Sequence, residues 1–458
     1  KVRCKTMRGE YDPLAESDHG ERVGQKSVCN CNLVKAVSIV AVVVIVATVV
    51  AIVIWQLVEI SRGQSEPDFS ELKDKCSHVK PITPQEFAER RAKLLERMSG
   101  IEAYVFEAGP NLWYYTGIQW SRSERPFLLV VQSNGNSSLI LPKFEEYTAR
   151  EKLEANSSLQ MHFWYEGKNP SAYEVFKNLV YTGATVNVAF GDDVRFFIQE
   201  GIASSVQIYT APTWYNISEG VRQIKSNHEL EILGCANNVT KTAIRVVSTM
   251  IKYKMKQSKV ASLLSQALTT AGLTNTWHLV LFGKNAAFPH GTQEDSELTE
   301  TDIILIDTGG DLLGYQSDIS RTFAIDPSKI SREIKDAWNT VRLAQNLALR
   351  NISAGVQCKT PDETARNYMG QEGYGYRYGN FTHRLGHGIG IQGHEEPYLV
   401  EGNTKLFEPG MVFSVEPGLY LQNKWGIRIE DIVYITEDGK HKVFGPLSEE
   451  FENPFQNH

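Results

Sequence analysis

The sequence predicts an α/β N-terminal domain followed by an α+β domain, the pair preceded by a single membrane-spanning helix. Three observations predict it. The twenty residues from Ala36 to Trp55 carry only Ser38 and Thr48 as polar groups. Short apolar runs then alternate with amphipathic stretches over about 130 residues, the pattern of an open α/β layer. From Trp277 onward strand and hairpin patterns dominate, interrupted by the helical stretch "SREIKDAWNTVRLAQNLALRNI". A chain of 458 residues exceeds one typical domain, and 42% hydrophobic residues suffice for a sizeable core.

Residues 1–35 are read as a polar tail. They hold seven Lys/Arg and five Asp/Glu, a charge of +2, so the net −7 of the chain leaves −9 on residues 36–458. An acidic body without a basic stripe argues against a nucleic-acid partner. As a helix, the apolar run covers about 30 Å, the hydrocarbon thickness of a bilayer. The expected signal anchor spans 36–58. Lys1, Arg3, Lys5 and Arg8 before it, and six N-x-S/T sequons after it, place the N-terminus in the cytoplasm and the body outside the cell or in a lumen. Of the tail cysteines Cys4, Cys29 and Cys31, the last two lie close enough to the membrane for palmitoylation, with plain thiols as the alternative.

A polar stalk, 59–80, contains Cys76. Together with Cys235 and Cys358 it makes an odd set after the anchor, so at least one is unpaired or intermolecular, and a stalk cysteine is well placed for an inter-chain bridge. The first domain is expected over 81–217. It opens with "ITPQEFAERRAKLLERMSG", a helix with Thr83 as cap, Pro84 in the first turn and Gly100 as stop. The runs "AYVFEA", "FLLVVQ", "SLILP" and "TVNVAFG" read as strands and "SAYEVFKNLV" as a helix. After the loop "APTWYN", a long amphipathic stretch through "NHELEILGCANNVTKTAIRVVSTMI" opens the second domain, 218–458, and "SKVASLLSQALTTAG" adds another helix.

Chemistry concentrates in the second domain. "IDTGGDLLGYQSDISRTF" sets Asp307 and Asp318 on the two arms of a hairpin, although Asp and Gly are otherwise ordinary turn residues. "GMVFSVEPGLYL" ends an apolar run in Glu416, and "WGIRIEDIVYI" places Glu430 in an apolar strand with Arg428 on the same face by period two. A structural Arg–Glu pair would explain that strand alone. "THRLGHGIGIQGHEEPY" supplies His383, His387 and His394, with glycines beside His387 that permit close backbone approach and leave its imidazole accessible. "FGKNAAFPHG" adds His290. Interior carboxylates are costly unless paired or bound to metal. Hard oxygen donors with one imidazole suit manganese, iron, cobalt or zinc. Four carboxylates exceed the charge of one divalent ion; two ions about 3.5–4 Å apart would balance them and bridge a nucleophilic water.

The ordered set "FGKNAAFPHG", "IDTGG…GYQSDISRTF", "HRLGHGIG…GHEEP", "MVFSVEPGLY" and "GIRIED" closely resembles the pita-bread metallopeptidases, above all prolidases and aminopeptidase P. "VRQIKSNHELEIL" is similar to that family's entry into its catalytic domain, and "NLWYYTGI" to its N-terminal domain. The resemblance implies a pita-bread catalytic domain and hydrolysis of the bond between an N-terminal residue and a following proline. It implies five ligands to two divalent ions, manganese first: Asp307, Asp318, His387, Glu416 and Glu430, with Asp318 and Glu430 bridging. It places His290 and His394 at the scissile peptide, Glu416 also as base at the bridging water, which attacks as hydroxide, and Arg428 behind a ligand. A homodimer and proline-containing peptides are the partners it implies. In many prolidases an arginine follows the "HExP" segment and holds a dipeptide's carboxylate. Here Tyr398 stands there. A phenol offers one neutral hydrogen bond where arginine offers a charged fork, so tripeptides are expected to be cleaved at least as well as dipeptides. Two alternatives remain open at this point: a same-fold enzyme acting on small amidino, ester or sulfonium compounds, and a non-catalytic binding protein.

Overall fold

The computed structural model describes residues 44–54, 67–153, 158–181, 183–214 and 216–455. The chain divides into two units at residue 66, and of the first only residues 44–54 are described. In the first unit, residues 44–54 are helical. This overturns the expected anchor: among the described residues no helix is long and apolar enough to cross a membrane. The remainder of 36–58, the tail and the Cys4, Cys29 and Cys31 readings lie outside the described residues. The single-pass topology falls with the anchor.

The second unit begins with a sheet. Strands β1 (Ala103–Glu107), β2 (Leu128–Gln132), β3 (Ser137–Pro142), β4 (Gln160–Trp164), β5 (Val186–Phe190) and β6 (Ile208–Tyr209) align in the order β4-β3-β2-β1-β5-β6. β1 runs parallel to β5 and antiparallel to β2. Helix α1 (Pro84–Arg97) starts as its sequence demands, with the Thr83 hydroxyl accepting from Glu86 N at 3.2 Å and proline in the first turn. Helices α2 (Pro110–Thr116), α3 (Glu146–Lys152), α4 (Ala172–Val180) and α5 (Phe196–Ser205) follow. Tyr104 and Phe106 of β1 pack with Leu94 of α1 and Leu112 of α2, while Ala103 and Val105 pack with Phe176 of α4 and Ile198 of α5. The period-two alternation thus feeds two cores, one on each face of the sheet.

Helix α6 (Asn216–Arg222) leads into α7 (Asn227–Ser248), which opens on a capping box between Ser226 and Glu229. Its stripe Leu233, Ala236, Val239, Ala243 and Val247 is buried, packing beside α8 (Gln257–Thr270). Next come β7 (Thr274–Phe282), β8 (Ile304–Leu312), β9 (Tyr315–Gln316) and β10 (Ile319–Phe323), with β8 between β7 and β10 and β9 paired to β8. After α9 (Arg332–Arg350) and α10 (Lys359–Gln371), the chain adds β11 (Gly386–Gly388), β12 (Glu395–Leu399), β13 (Val412–Val415), β14 (Gly418–Leu421), β15 (Trp425–Arg428), β16 (Asp431–Ile435) and β17 (His441–Val443). Five of these form a sheet in the order β12-β11-β13-β16-β17, and β14 pairs with β15. Val412 packs into the core of α7 and α8; its neighbour Phe413 packs into that of α9 and α10. Strands buried on both faces explain the near-continuous apolar runs.

Cys76 does not reach another chain. It forms a disulfide with Cys235 of α7, the Cα atoms 5.9 Å apart, and Cys358 is buried and free. Phe69, Leu72 and Val79 are buried around this tether, so the segment expected as an open stalk is packed down from Pro67 onward.

Candidate metal centre

The five expected ligands come from strand ends that converge. Asp307 lies within β8 and Asp318 immediately before β10, His387 within β11, Glu416 immediately after β13, and Glu430 in the gap between β15 and β16. The hairpin can bring both aspartates together because of its glycines: a Cβ on Gly309 would sit 1.8 Å from the Ser317 carbonyl oxygen. Helix α7 fixes the second arm, since Asp318 N donates to Asn237 Oδ1 at 3.1 Å and Thr240 Oγ1 lies 2.7 Å from Ser317 Oγ. Around His387, a Cβ on Gly386 would meet the Ser414 carbonyl oxygen at 1.9 Å. Only glycine allows that approach. It does not leave the imidazole accessible, however: His387 is 2% exposed.

His387 Nδ1 lies 3.1 Å from the Gly388 carbonyl, which directs Nε2 inward, 3.2 Å from Glu416 Oε1 and 3.8 Å from Asp318 Oδ2. Glu416 also accepts from Ser414 Oγ at 3.2 Å. Asp307 Oδ2 accepts from Arg428 Nη2 at 2.6 Å, and Glu430 Oε2 accepts from Ser320 Oγ at 3.0 Å. The other oxygens, Asp307 Oδ1 and Glu430 Oε1, are buried with no hydrogen-bond partner. Three sets of donors each fit within 4.8 Å: Asp307, Asp318 and Glu430; His387, Glu416 and Glu430; Asp318, His387 and His394.

The electrostatics follow from the crowding. Burial, then the charges of neighbouring carboxylates, push Asp318 and Glu430 well above the usual carboxylate range. Burial would raise Glu416 too, but its hydrogen bond to His387 and the charges of His387, His383 and Arg428 carry it down to about 2. Buried carboxylates with orphaned oxygens, one imidazole nitrogen facing them and no thiolate form a donor set that fits divalent cations. Divalent ions would satisfy the two orphaned oxygens and offset the repulsion together.

Arg428 differs from the period-two reading. β15 ends at Arg428 and β16 begins at Asp431, so Glu430 sits at a break, and Arg428 pairs with Asp307 instead. Its Nε donates to Ser320 Oγ at 2.7 Å and its Nη1 to Tyr420 Oη at 2.9 Å. Ser320 therefore connects Arg428 to Glu430. His394 lies against the centre, its ring centroid 4.1 Å from that of His387. Desolvation and the charges of His387 and Arg384 lower it to about 4. His290 is exposed and, among the described residues, makes no hydrogen bond or ion pair with the five; the neighbouring Pro289 carbonyl accepts from Arg428 Nη1 at 3.3 Å. Tyr398 lines a cavity of about 220 Å³ beside His394.

Residues that sequence reasoning left unassigned complete the site. His383 Nε2 lies 2.8 Å from Tyr420 Oη, and burial lowers its pKa to about 4. The only signal was its place four residues before His387. Arg321 and Lys241 both pair with Asp431, at 2.8 and 2.5 Å, and Arg321 also donates to the Glu430 carbonyl at 2.7 Å. Arg222 and Lys225, at the junction of α6 and α7, pair with Glu395 at 2.6 and 2.5 Å.

Comparison with known proteins agrees with this geometry. Residues 231–437 match metallopeptidase family M24, and residues 90–203 match the creatinase/prolidase N-terminal domain. An uncharacterized peptidase of Schizosaccharomyces pombe is 32% identical over 377 residues, covering 78% of this chain and 81% of that protein. Among solved structures, dipeptidase PepE from Mycobacterium ulcerans superposes with a TM-score of 0.74 at 27% identity, over 81% of this chain and 98% of that one. A recombinant prolidase from Thermococcus sibiricus gives 0.68 at 27%, over 80% and 97%. The two-domain pita-bread fold is that of these enzymes. Identity sustained along most of both chains, on a converged donor set, makes this chain a member of metallopeptidase family M24.

Proposed function

We propose that the chain hydrolyses the peptide bond between an N-terminal residue and a following proline, using two divalent ions held by Asp307, Asp318, His387, Glu416 and Glu430. The observation that carries this reading is the convergence of these five side chains with buried, unpartnered oxygens on Asp307 and Glu430. Similarity to a dipeptidase and a prolidase supports the substrate class. A binding protein would have no use for such a cluster.

Bound ions supply Lewis-acid polarisation of the scissile carbonyl and a nucleophilic water at neutral pH. The protein's own residues do the rest. Arg428 holds Asp307, and through Ser320 also Glu430, so two ligands from different strands keep one geometry. Glu416, ionised beside His387, accepts the proton of the attacking water at its carboxylate. His394, an imidazole at the mouth of the centre, donates a hydrogen bond to the developing oxyanion. An Xaa-Pro amide has no N–H, so backbone donation from substrate cannot secure it, and a shaped pocket must do so. His290, manganese over cobalt, zinc or iron, a homodimer, and a 218–458 catalytic domain are further parts of this proposal.

The test is hydrolysis of Ala-Pro peptides against Ala-Ala peptides and N-acetylated Ala-Pro peptides. Cleavage of the first alone supports a proline-directed exopeptidase. Equal cleavage of Ala-Ala peptides, or cleavage of the acetylated ones, contradicts it.

A further inference from the structure

A cavity of about 330 Å³ opens between helices α1 and α2 and the tip of the β8–β9 hairpin, and none of the five ligands lines it. Its walls include Ile82, Phe87 and Trp113, with Leu313 at the hairpin tip. Two cations reach it, Arg91 of α1 and Lys152 at the end of α3, and among the described residues no carboxylate lines it. Arg91 is 5% exposed, nearly as buried as its neighbour Arg90 at 3%. Arg90 is paired, with Glu86 at 2.9 Å and Glu229 at 3.5 Å. Arg91 has no carboxylate partner among the described residues. Its Nη1 donates to the Tyr115 carbonyl at 2.5 Å and its Nη2 to Ser158 Oγ at 3.2 Å, which leaves three of its five N–H groups unspent. Burial alone lowers it to about 10, so it is still charged at neutral pH. Buried charges are costly unless paired. Leu313 is the second irregularity: its backbone is left-handed, φ 50°, and its apolar side chain is 41% exposed. Such outliers collect where a ligand is held.

We propose that this cavity is a second binding site, distinct from the metal centre, for an amphipathic monocarboxylate. Its apolar body lies against Phe87, Trp113 and Leu313, and its carboxylate meets the unspent fork of Arg91, with Lys152 at the rim. Charge complementarity selects the anion, since a planar guanidinium matches a carboxylate and one buried cation balances one charge. Volume selects the size: about 300 Å³ is the lower end of small-ligand pockets, enough for one ring and a short chain. An occupant joins α1 and α2 to the hairpin whose arms carry Asp307 and Asp318. Trp113 already spans that junction, with its ring 5.7 Å from that of Tyr315 and so close to Gly314 that a Cβ there would meet it at 2.4 Å.

The experiment is isothermal titration calorimetry of the full chain, in manganese and in chelator, with 3-phenylpropionate, its amide and acetate as probes. The acid should bind at one site, with equal affinity in manganese and in chelator, and roughly 10- to 100-fold more tightly than the amide, the worth of a hydrogen bond to a charged group. Acetate, which lacks the apolar body, should bind more weakly than 3-phenylpropionate. Arg91→Met should reduce the acid's affinity to that of the amide, and Arg91→Lys should restore part of it. Leu313→Asp sets a like charge at the mouth on a turn whose left-handed backbone aspartate tolerates, and should weaken the acid more than the amide. It keeps the test open where Arg91→Met fails to fold. Equal affinity for acid and amide, loss of acid binding in chelator, unaltered acid affinity in either folded variant, or no heat of binding at millimolar acid would overturn the proposal.

Discussion

Replacing Glu430 by glutamine should stabilise the metal-free protein and abolish its stabilisation by metal. Glu430 is 1% exposed and shares a volume within 4.8 Å with donor atoms of Asp307 and Asp318. Two carboxylate charges at that separation repel by about 3.5 kcal/mol at an effective dielectric of about 20. The group escapes part of this by holding its proton, which is why burial and the charges of Glu416 and Asp307 raise its pKa. A carboxyl with a raised folded pKa weakens the fold as pH climbs above its unfolded value of about 4.3 and on towards the folded one. An amide cannot ionise and still accepts from Ser320, so Glu430→Gln should gain about 1–3 kcal/mol in chelator at pH 8, with a smaller gain at pH 5. Wild-type protein at a metal concentration of about 1,000 times Kd gains about 4 kcal/mol by mass action, whereas the variant should gain little. Thermal and denaturant unfolding in chelator and in manganese give all four values. Destabilisation of the variant in chelator, or an undiminished manganese shift, would refute the argument.

Glu416→Gln should retain the fold and lose nearly all turnover, checked by circular dichroism beside steady-state kinetics. Glu395→Gln should cost about 3–5 kcal/mol in denaturant unfolding, because Arg222 and Lys225 would remain buried without their counter-charge. In the wild type, the charges of Lys225 and Arg222 overcome burial and hold Glu395 below its ordinary value, so its contribution is present above about pH 4.3 and is lost as pH falls through the folded pKa. Reducing the Cys76–Cys235 disulfide, which closes a loop of 159 residues, should lower stability by about 2–5 kcal/mol, with Cys76→Ser reproducing the loss.

Much of the centre was legible because its residues break local rules. Carboxylates inside apolar runs, at Asp307, Asp318, Glu416 and Glu430, have no place in a strand unless something compensates them. The glycines of the hairpin and around His387 announced close approaches that the structure contains. What the sequence hid depends on where strands stop and which distant residues meet. Arg428 was assigned to the face of Glu430, but the strand breaks between them and the arginine reaches Asp307. His383 and His394 look alike in sequence; one is half-buried against Tyr420, the other lies at the mouth of the centre. The Cys76–Cys235 bridge joins positions that no spacing rule connects. The apolar run from Ala36 to Trp55 shows the opposite case: its composition suits a membrane span, yet among the described residues no helix is long and apolar enough for one.

The most direct test of the account is the metal content of the purified protein, measured by mass spectrometry alongside Ala-Pro hydrolysis, for the wild type and Asp318→Asn. A neutral amide cannot bridge two cations as a carboxylate does, so the wild type should carry about two divalent ions and the variant at most about one, with its turnover abolished. Chelation should remove wild-type activity, and manganese or cobalt should return it. Full hydrolysis by wild-type protein stripped of metal, or two retained ions in Asp318→Asn, would contradict it.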